Sequence, residues 1–352
     1  WGCSSVGRAL AWHARGQGFN SPQLHKMTKI AVVMRTYERP VLLARAIASV
    51  QLQTFTDWEL VVVNNGGQQS GVDAVVRTAM NATPSGSIRV IHLSERVGME
   101  EASNRGLADL DSEFFVIHDD DDSWDSRFLD VANAALRESP AAVAAVTGVT
   151  RIYETFRGRT VWPVSHEDFP LSQGRLTYRG MIGGNTFPPI AALFRRSVLN
   201  TVGNFDSSLP VLGDWEFNLR AVAAGDFVFI PERLAHYHTR TPDSDAVSGN
   251  SITVGEELHR DVKLQLQDRW LKEPAVNGVN KGALSIAAAA EALTGELQVN
   301  TPIVHVDIEH IANRTAEIIK LQRLSRRIAR GARHPGHGIR AIGRAVRRTI
   351  SK

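Results

Sequence analysis

Between residues 29 and 152, short apolar runs rich in β-branched residues alternate with helical stretches, and this alternation constrains the fold more than any other feature of the chain. Residues 29–35 (KIAVVMR), 59–64 (ELVVVN), 88–93, 113–118 and 142–152 read as strands. Residues 40–52, 72–80, 98–110 and 126–138 read as the helices between them, with Pro40 suited to a first turn and Ser126 as an N-cap. Strands and helices in this order make an α/β fold with a mostly parallel central sheet flanked by helices. In such sheets ligands bind beyond the carboxyl ends of the strands. Thr36-Tyr37, Asn64-Asn65 and the run Asp119 to Asp122 all fall there.

The later part of the chain is less regular. Residues 153–190 are rich in Gly, Pro and aromatic side chains and read as loops over the sheet edge. Residues 190–194, a short helix from Arg196, a turn at Gly203-Asn204-Phe205-Asp206 and a helix over about 214–224 follow, then short strands at 227–230 and 234–238. From Gly255 the pattern is helical, over 256–271, 281–293 and 304–332. The organisation expected is an α/β domain over 27–250, a helical extension over 251–332 and a basic tail over 333–352. Residues 1–26 have no periodic apolar pattern and no apolar core of a signal peptide, and Met27 reads as a natural start. The segment resembles read-through of an adjacent transfer-RNA gene and is expected to be a non-native or disordered extension.

A chain of 352 residues can bury a full core. Cys3 is the only cysteine, which excludes a disulfide framework and favours a reducing, cytoplasmic compartment. No apolar stretch reaches the roughly 18 to 20 residues that span a bilayer. The net charge of +3 hides an asymmetry. Eleven of the 40 Lys/Arg lie in residues 320–352 and three in 1–26, both without an acid, so the body carries 26 basic against 37 acidic residues.

The strand at 113–118 runs into four consecutive carboxylates, Asp119 to Asp122. Such density repels itself, and a divalent cation is the natural compensation; oxygen ligands of this kind suit Mg²⁺ or Mn²⁺. A solvated acidic turn is the competing reading. A calcium EF-hand fails, because Trp124 falls where the loop needs Gly and Asp130 where it needs a bidentate Glu. Asp121-Asp122-Ser123-Trp124-Asp125 also spells the DDxxD of isoprenoid synthases, but those are helical and this run ends a strand.

Several segments taken in order resemble the family 2 inverting glycosyltransferases of the GT-A fold. Residues 30–40 (IAVVMRTYERP) are similar to that family's opening strand and T-Y-N-R-P turn, and Ser49-Val50-Gln51-Leu52-Gln53-Thr54-Phe55 to its S-V-L-x-Q-T-F/Y. Residues 58–67 (WELVVVNNGG) resemble its second strand, Ala102-Ser103-Asn104-Arg105-Gly106-Leu107 its A-R-N-x-G-L helix, and residues 118–124 its DxD region. Residues 193–198, Gly203 to Asp206 and 213–220 (GDWEFNLR) resemble its acceptor half. The resemblance covers roughly residues 29–240.

It implies transfer of a sugar from a nucleotide-diphosphate sugar to a hydroxyl of a saccharide or lipid-linked, cell-envelope acceptor. Asp119 and Asp121 would be the Mn²⁺ or Mg²⁺ ligands, with His238, which shares a strand face with His236, as a further metal ligand. Asp120 would meet the ribose, and Asp122 would be spare and solvated. Thr36, Tyr37, Asn64, Asn65 and Arg105 would complete the nucleotide-sugar pocket; Asn64 departs from the aspartate common in uridine-diphosphate users, which leaves the base open. Asp214 would be the general base, with Glu216 the weaker candidate and helix capping by Asp214 the alternative. Relatives often read Glu-Asp where this chain has Gly213-Asp214. Trp162, Asn185 and Trp215, with His166 and Tyr178, would shape the acceptor site, Trp215 being equally suited to a core. A nucleotidyltransferase would need a Gly-rich basic loop after the first strand, which is missing, and a non-catalytic homologue would not need both DxD and Asp214.

Past residue 300, Ile308, Ile311, Thr315, Ile318, Leu321, Leu324 and Ile328 recur at helical spacing, with Arg crowding from Arg323 onward. The stripe suits peripheral contact with anionic lipid on the inner face of the membrane, or packing against the catalytic domain or a second subunit. Nucleic acid is not expected, given the acidic body.

Overall fold

The computed structural model describes residues 30–82, 86–108, 110–157, 160–171, 176–240, 255–273, 280–288 and 290, all within one compact unit. The expectations for residues 1–26, for the helix at 304–332 and for the basic tail lie outside the described residues.

Four strands carry the first half: β1 (Ile30–Thr36), β2 (Trp58–Asn64), β3 (Ser87–His92) and β4 (Phe114–Asp119). They pair in the order β3-β2-β1-β4, all parallel, with α1 (Pro40–Gln51), α2 (Gln69–Ala82) and α3 (Met99–Leu107) between them in sequence. Val32, Val33, Val61, Val62, Phe115 and Val116 are all buried, so both faces of these strands are covered, as a parallel sheet requires. α3 seats closely because of Gly106: a Cβ there would come within 2.3 Å of Val33 Cγ1 and 2.9 Å of Val63 Cγ2. The register aligns the strand ends, Thr36 opposite Asn64 and Arg35 opposite Asp119.

The second half turns the sheet mixed. β5 (Ser123–Trp124), α4 (Phe128–Glu138), β6 (Ala142–Arg157), β7 (Thr160–Asp168), α5 (Tyr178–Met181), β8 (Ala192–Arg195), α6 (Val198–Val202), α7 (Gly213–Ala224), β9 (Asp226–Arg240) and α8 (Glu256–Lys272) follow. The sheet continues β4-β8-β6-β9-β5, with β7 added to β6. β6 and β9 are parallel, while the β4-β8, β8-β6, β9-β5 and β6-β7 pairs are antiparallel. Parallel pairing therefore dominates only where βαβ units alternate.

Three local expectations are corrected. Residues 153–157 and 160–168 are not loop: β6 runs on to Arg157 and pairs with β7. β7 is exposed along nearly its whole length, so it has no apolar face to announce it and is held by ladder hydrogen bonds. The two short strands expected at 227–238 are one, β9, with an irregularity opposite Gly148. Pro231 cannot donate to a ladder, and the bulged chain lies so close that a Cβ on Gly148 would be 2.8 Å from the Pro231 carbonyl oxygen. Ser126 is not the cap of α4, which starts after Arg127; the amide of Gln53 serves instead, accepting from Leu129 N–H at 2.9 Å and donating to the Asp125 carbonyl at 2.8 Å.

Candidate active site

The carboxylate run leaves β4 and turns back beneath the ends of β1 and β9, where arginines meet it. Arg35, last but one in β1, donates from Nε to Asp119 Oδ1 at 3.1 Å and from Nη2 to the same oxygen. Thr36 Oγ1 donates to Asp120 Oδ2 at 2.7 Å. Arg39, in the turn before α1, donates to Asp121 Oδ2 at 3.0 Å and lies 3.5 Å from Asp120 Oδ1. Arg240, at the end of β9 and fully buried, donates to that same Asp121 oxygen.

These contacts divide the carboxylates electrostatically. Burial pushes the Asp120 carboxyl up to about 7, with Arg39 pulling against it and Asp121 adding to the rise. Burial works the same way on Asp121, but Arg39, Arg240 and Arg45 outweigh it and hold that carboxyl below its ordinary value. Asp122 is not the solvated spare expected: it is 1% exposed, and its Oδ1 accepts the His238 backbone N–H at 2.8 Å. Burial, then the charges of Asp121 and Asp119, raise its proton affinity well above normal, and Oδ2 has no partner among the described residues.

Behind the run sits a second network. Glu154 of β6 accepts from Arg45 at 2.7 Å, from Arg240 at 3.0 Å and from His238 Nδ1 at 2.9 Å. His238 Nε2 in turn meets Ser123 Oγ at 2.8 Å. A carboxylate only accepts, so the proton is on Nδ1 and Nε2 is the acceptor. Burial keeps this imidazole neutral by lowering its affinity for a second proton. Both ring nitrogens are thus taken by protein groups, and the expected role of His238 as a metal ligand gives way to one in this network.

A divalent ion would therefore rest on Asp119 and Asp121 alone. Among the described residues no group of three His, Cys, Asp or Glu side chains is placed to hold a metal. Asp119 Oδ2 and Asp121 Oδ1 accept no hydrogen bond from the described residues, the arginines having taken the other oxygen of each. Mg²⁺ and Mn²⁺ bind through one or two carboxylates plus substrate phosphate and water, so two such oxygens match the protein's usual share.

Asp214 lies in the first turn of α7, not at its cap; the cap is Leu212, whose φ of 64° is strained for a branched side chain. Asn185 donates to Asp214 Oδ2 at 2.5 Å. Burial raises the proton affinity of Asp214, against the Trp215 N–H, the Asn185 amide and the charge of Arg35. Glu216 is no rival base: it is buried and held by Arg220 at 2.7 Å, which also donates to the carbonyls of Val202 and Asn204.

The remaining expected site residues separate. Arg96 stacks over the Tyr37 ring, 4.2 Å from its centroid, beside the strand ends. Asn64 is fully buried and its amide is spent: Oδ1 accepts from Gly67 N–H at 3.1 Å, while Nδ2 donates to the Gly67 carbonyl at 2.9 Å and to His92 Nδ1 at 3.0 Å. Asn65 likewise exchanges two bonds with Val97, at 2.9 and 2.8 Å. Both amides thus fix the turn that follows β2. Arg105 is exposed and paired with Glu101 at 2.7 Å, a surface i,i+4 pair. Trp215 is a core residue, wholly buried, donating to the Met181 carbonyl at 2.7 Å and set edge-on to Trp270. Trp162 stands 50% exposed on β7, and Asn185 sits at Asp214.

Arg35, Arg39, Arg45, Glu100, Glu154 and Arg240 were missed from the sequence. Arg35 and Arg39 had a signal, since they flank Thr36-Tyr37 at a strand end. Arg240 and Glu154 had none, being paired across 86 positions. Glu100, at the start of α3, is buried and meets Arg35 Nη1 at 3.4 Å.

Comparison with known proteins bears on the family and the fold. The sequence model described as glycosyl transferase family 2 matches residues 31–203. The uncharacterized glycosyltransferase YwdF of Bacillus subtilis strain 168 is 27% identical over 198 residues, covering 55% of this chain and 68% of that protein. A PGL/p-HBAD biosynthesis glycosyltransferase of Mycobacterium tuberculosis H37Rv is 24% identical over 192 residues, 54% of this chain and 68% of that one. Among solved structures, S. aureus TarS 1-349 in complex with UDP-GlcNAc aligns with a TM-score of 0.54 at 18% identity, covering 78% of this chain and 77% of that one. The mannosyltransferase PcManGT from Pyrobaculum calidifontis, in complex with GDP-Man and Mn²⁺, aligns at 0.52 and 17%, covering 82% and 80%. At these identities the structural likeness is one of fold, the GT-A fold.

Proposed function

Because the chain belongs, through residues 31–203, to glycosyl transferase family 2, we propose that it inverts configuration as it moves a sugar from a nucleotide-diphosphate sugar to an acceptor hydroxyl, with Asp214 as general base. The observation that carries the reading is the position of Arg35. Its guanidinium donates to Asp119 at the strand end and meets Glu100 at 3.4 Å, whose carboxyl lies against Gly213 next to Asp214; this chain of contacts supports treating the motif carboxylates and the base as one site.

Asp214 keeps one oxygen fixed by Asn185 and turns its raised proton affinity to accepting the acceptor's proton as the hydroxyl attacks. Asp119 and Asp121 would hold Mn²⁺ or Mg²⁺, each keeping one oxygen that no arginine takes among the described residues. Bound there, the ion supplies Lewis-acid stabilisation of the leaving diphosphate. Arg39, a quarter exposed beside Asp120 and Asp121, is a cation that an entering diphosphate could meet. The donor is a nucleotide-diphosphate sugar, in keeping with neighbours crystallised with UDP-GlcNAc and with GDP-Man and Mn²⁺. The acceptor is a saccharide or a lipid-linked hydroxyl; one relative is named for PGL/p-HBAD biosynthesis. Among the described residues no helix is long and apolar enough to cross a membrane.

A thermal-shift screen of UDP-GlcNAc and GDP-Man with Mn²⁺ selects the donor, since a ligand that binds the native state raises apparent stability. With that donor, Asp214→Asn lowers transfer by roughly 10² to 10⁴, while calorimetry finds nucleotide affinity within about twofold of the parent. Near-parental turnover would rule out Asp214 as the base.

A further inference from the structure

Glu100 is the second residue of α3, and an acid in a first helical turn ordinarily complements the helix dipole. Its side chain does something else. It is 4% exposed and reaches across to the start of α7, where Gly213 has no side chain to meet it. A Cβ on Gly213 would stand 2.2 Å from both Cγ and Oε1 of Glu100 and 2.5 Å from its Cδ. The Glu100 carboxyl therefore occupies the volume in which a side chain at position 213 would begin.

Its contacts tie it to the site. The Gly213 backbone N–H points toward the carboxylate, and Arg35 Nη1 meets Oε2 at 3.4 Å. Arg35 is the residue that also holds Asp119, and Asp214 follows Gly213 directly. The first turn of α7 needs such support: the opening N–H groups of a helix have no partner within it. Leu212, the cap residue, provides no side-chain hydrogen bond.

We propose that Glu100 is a positioning residue for the base, supplying from α3 the acidic group that position 213 lacks and fixing the turn from which Asp214 projects. This rests on the reading of Asp214 as base. It also accounts for Gly213, because a side chain there and the Glu100 carboxyl exclude one another.

The test is relocation of the carboxyl. With the donor selected from UDP-GlcNAc and GDP-Man, Glu100→Ala lowers kcat at least tenfold and leaves donor KM within twofold. The double variant Glu100→Ala, Gly213→Glu, which restores the acid from its own backbone, recovers kcat to within about threefold. Parental kcat in Glu100→Ala, or a double variant that stays slow, overturns the proposal. If Glu100→Ala does not fold, the double variant decides alone: near-parental turnover supports the role and loss refutes it. Hydrogen exchange separates this from the activity reading. Amides 213–216 exchange faster in Glu100→Ala if Glu100 fixes that turn, and unchanged exchange refutes it, even if the parent chain transfers from neither donor and the base assignment falls.

Discussion

Glu154→Gln probes the buried network behind the carboxylate run. Glu154 is 2% exposed and receives Arg45 Nη1 at 2.7 Å, Arg45 Nη2 at 3.2 Å, Arg240 Nη1 at 3.0 Å and His238 Nδ1 at 2.9 Å. Burial alone would raise its pKa; the bonds from His238 and Arg45 outweigh burial and hold the carboxyl at about 2, against an ordinary 4.5. At about 1.4 kcal/mol per tenfold change, that depression corresponds to about 3 kcal/mol of stability. Because the folded value is the lower one, the contribution is complete above pH 4.5 and is lost as pH falls from there through about 2.

A second route gives a similar size. Replacing the carboxylate removes one carboxylate partner from Arg240, which is wholly buried, and breaking a buried ion pair costs roughly 3 to 5 kcal/mol. Urea unfolding should therefore find Glu154→Gln about 3 kcal/mol less stable than the parent at neutral pH. The gap should close as both are taken from about pH 4.5 toward about 2. Equal stability at neutral pH, or a variant that keeps the parent's full acid slope, would refute the assignment of this stability to Glu154.

Asp121→Ala should abolish the Mn²⁺-dependent part of nucleotide binding, measured by calorimetry with and without the ion; an unchanged Mn²⁺ dependence would remove Asp121 from the metal pair. Trp215→Phe should cost about 1 to 3 kcal/mol in chemical unfolding, because a smaller ring leaves a void at a wholly buried site and the Met181 carbonyl keeps Gly184 N–H at 3.2 Å in place of two donors, and should leave acceptor KM within twofold. A large rise in acceptor KM without loss of stability would return Trp215 to the acceptor site. Arg105→Ala should change stability by less than about 0.5 kcal/mol, the size of a surface i,i+4 pair, and leave donor KM within twofold.

Several residues of the similarity motifs make contacts away from the carboxylate run. Gln53 and Asn104 both belong to motifs that placed the chain in its family, yet neither meets the carboxylates in this structure. Gln53 satisfies the start of α4. Asn104 clamps the turn at 203–206, exchanging bonds of 2.9 and 3.1 Å with the Phe205 backbone. Asn64 looked like a base-reading amide because an amide can serve either partner, and only its surroundings reveal that Gly67 and His92 have claimed it. Trp162 and Trp215 were indistinguishable as aromatic residues in irregular or helical sequence; one is half exposed and the other wholly buried.

The sequence by itself determined the α/β alternation, the strand ends at which Thr36, Asn64 and Asp119 fall, the carboxylate run and the place of Asp214 at the start of a helix. Each of these is written in the spacing of neighbouring residues or in short motifs, because local sterics and apolar periodicity act within a few positions. The tertiary structure alone decided which oxygen of each carboxylate an arginine takes, that His238 serves Glu154, and that Glu100 fills the place beside Gly213. Arg240 and Asp121 are 119 positions apart and Arg35 and Glu100 are 65 apart. Charges so distant in sequence meet only once the packed backbone has brought their strands and helices together, and no local pattern carries that information.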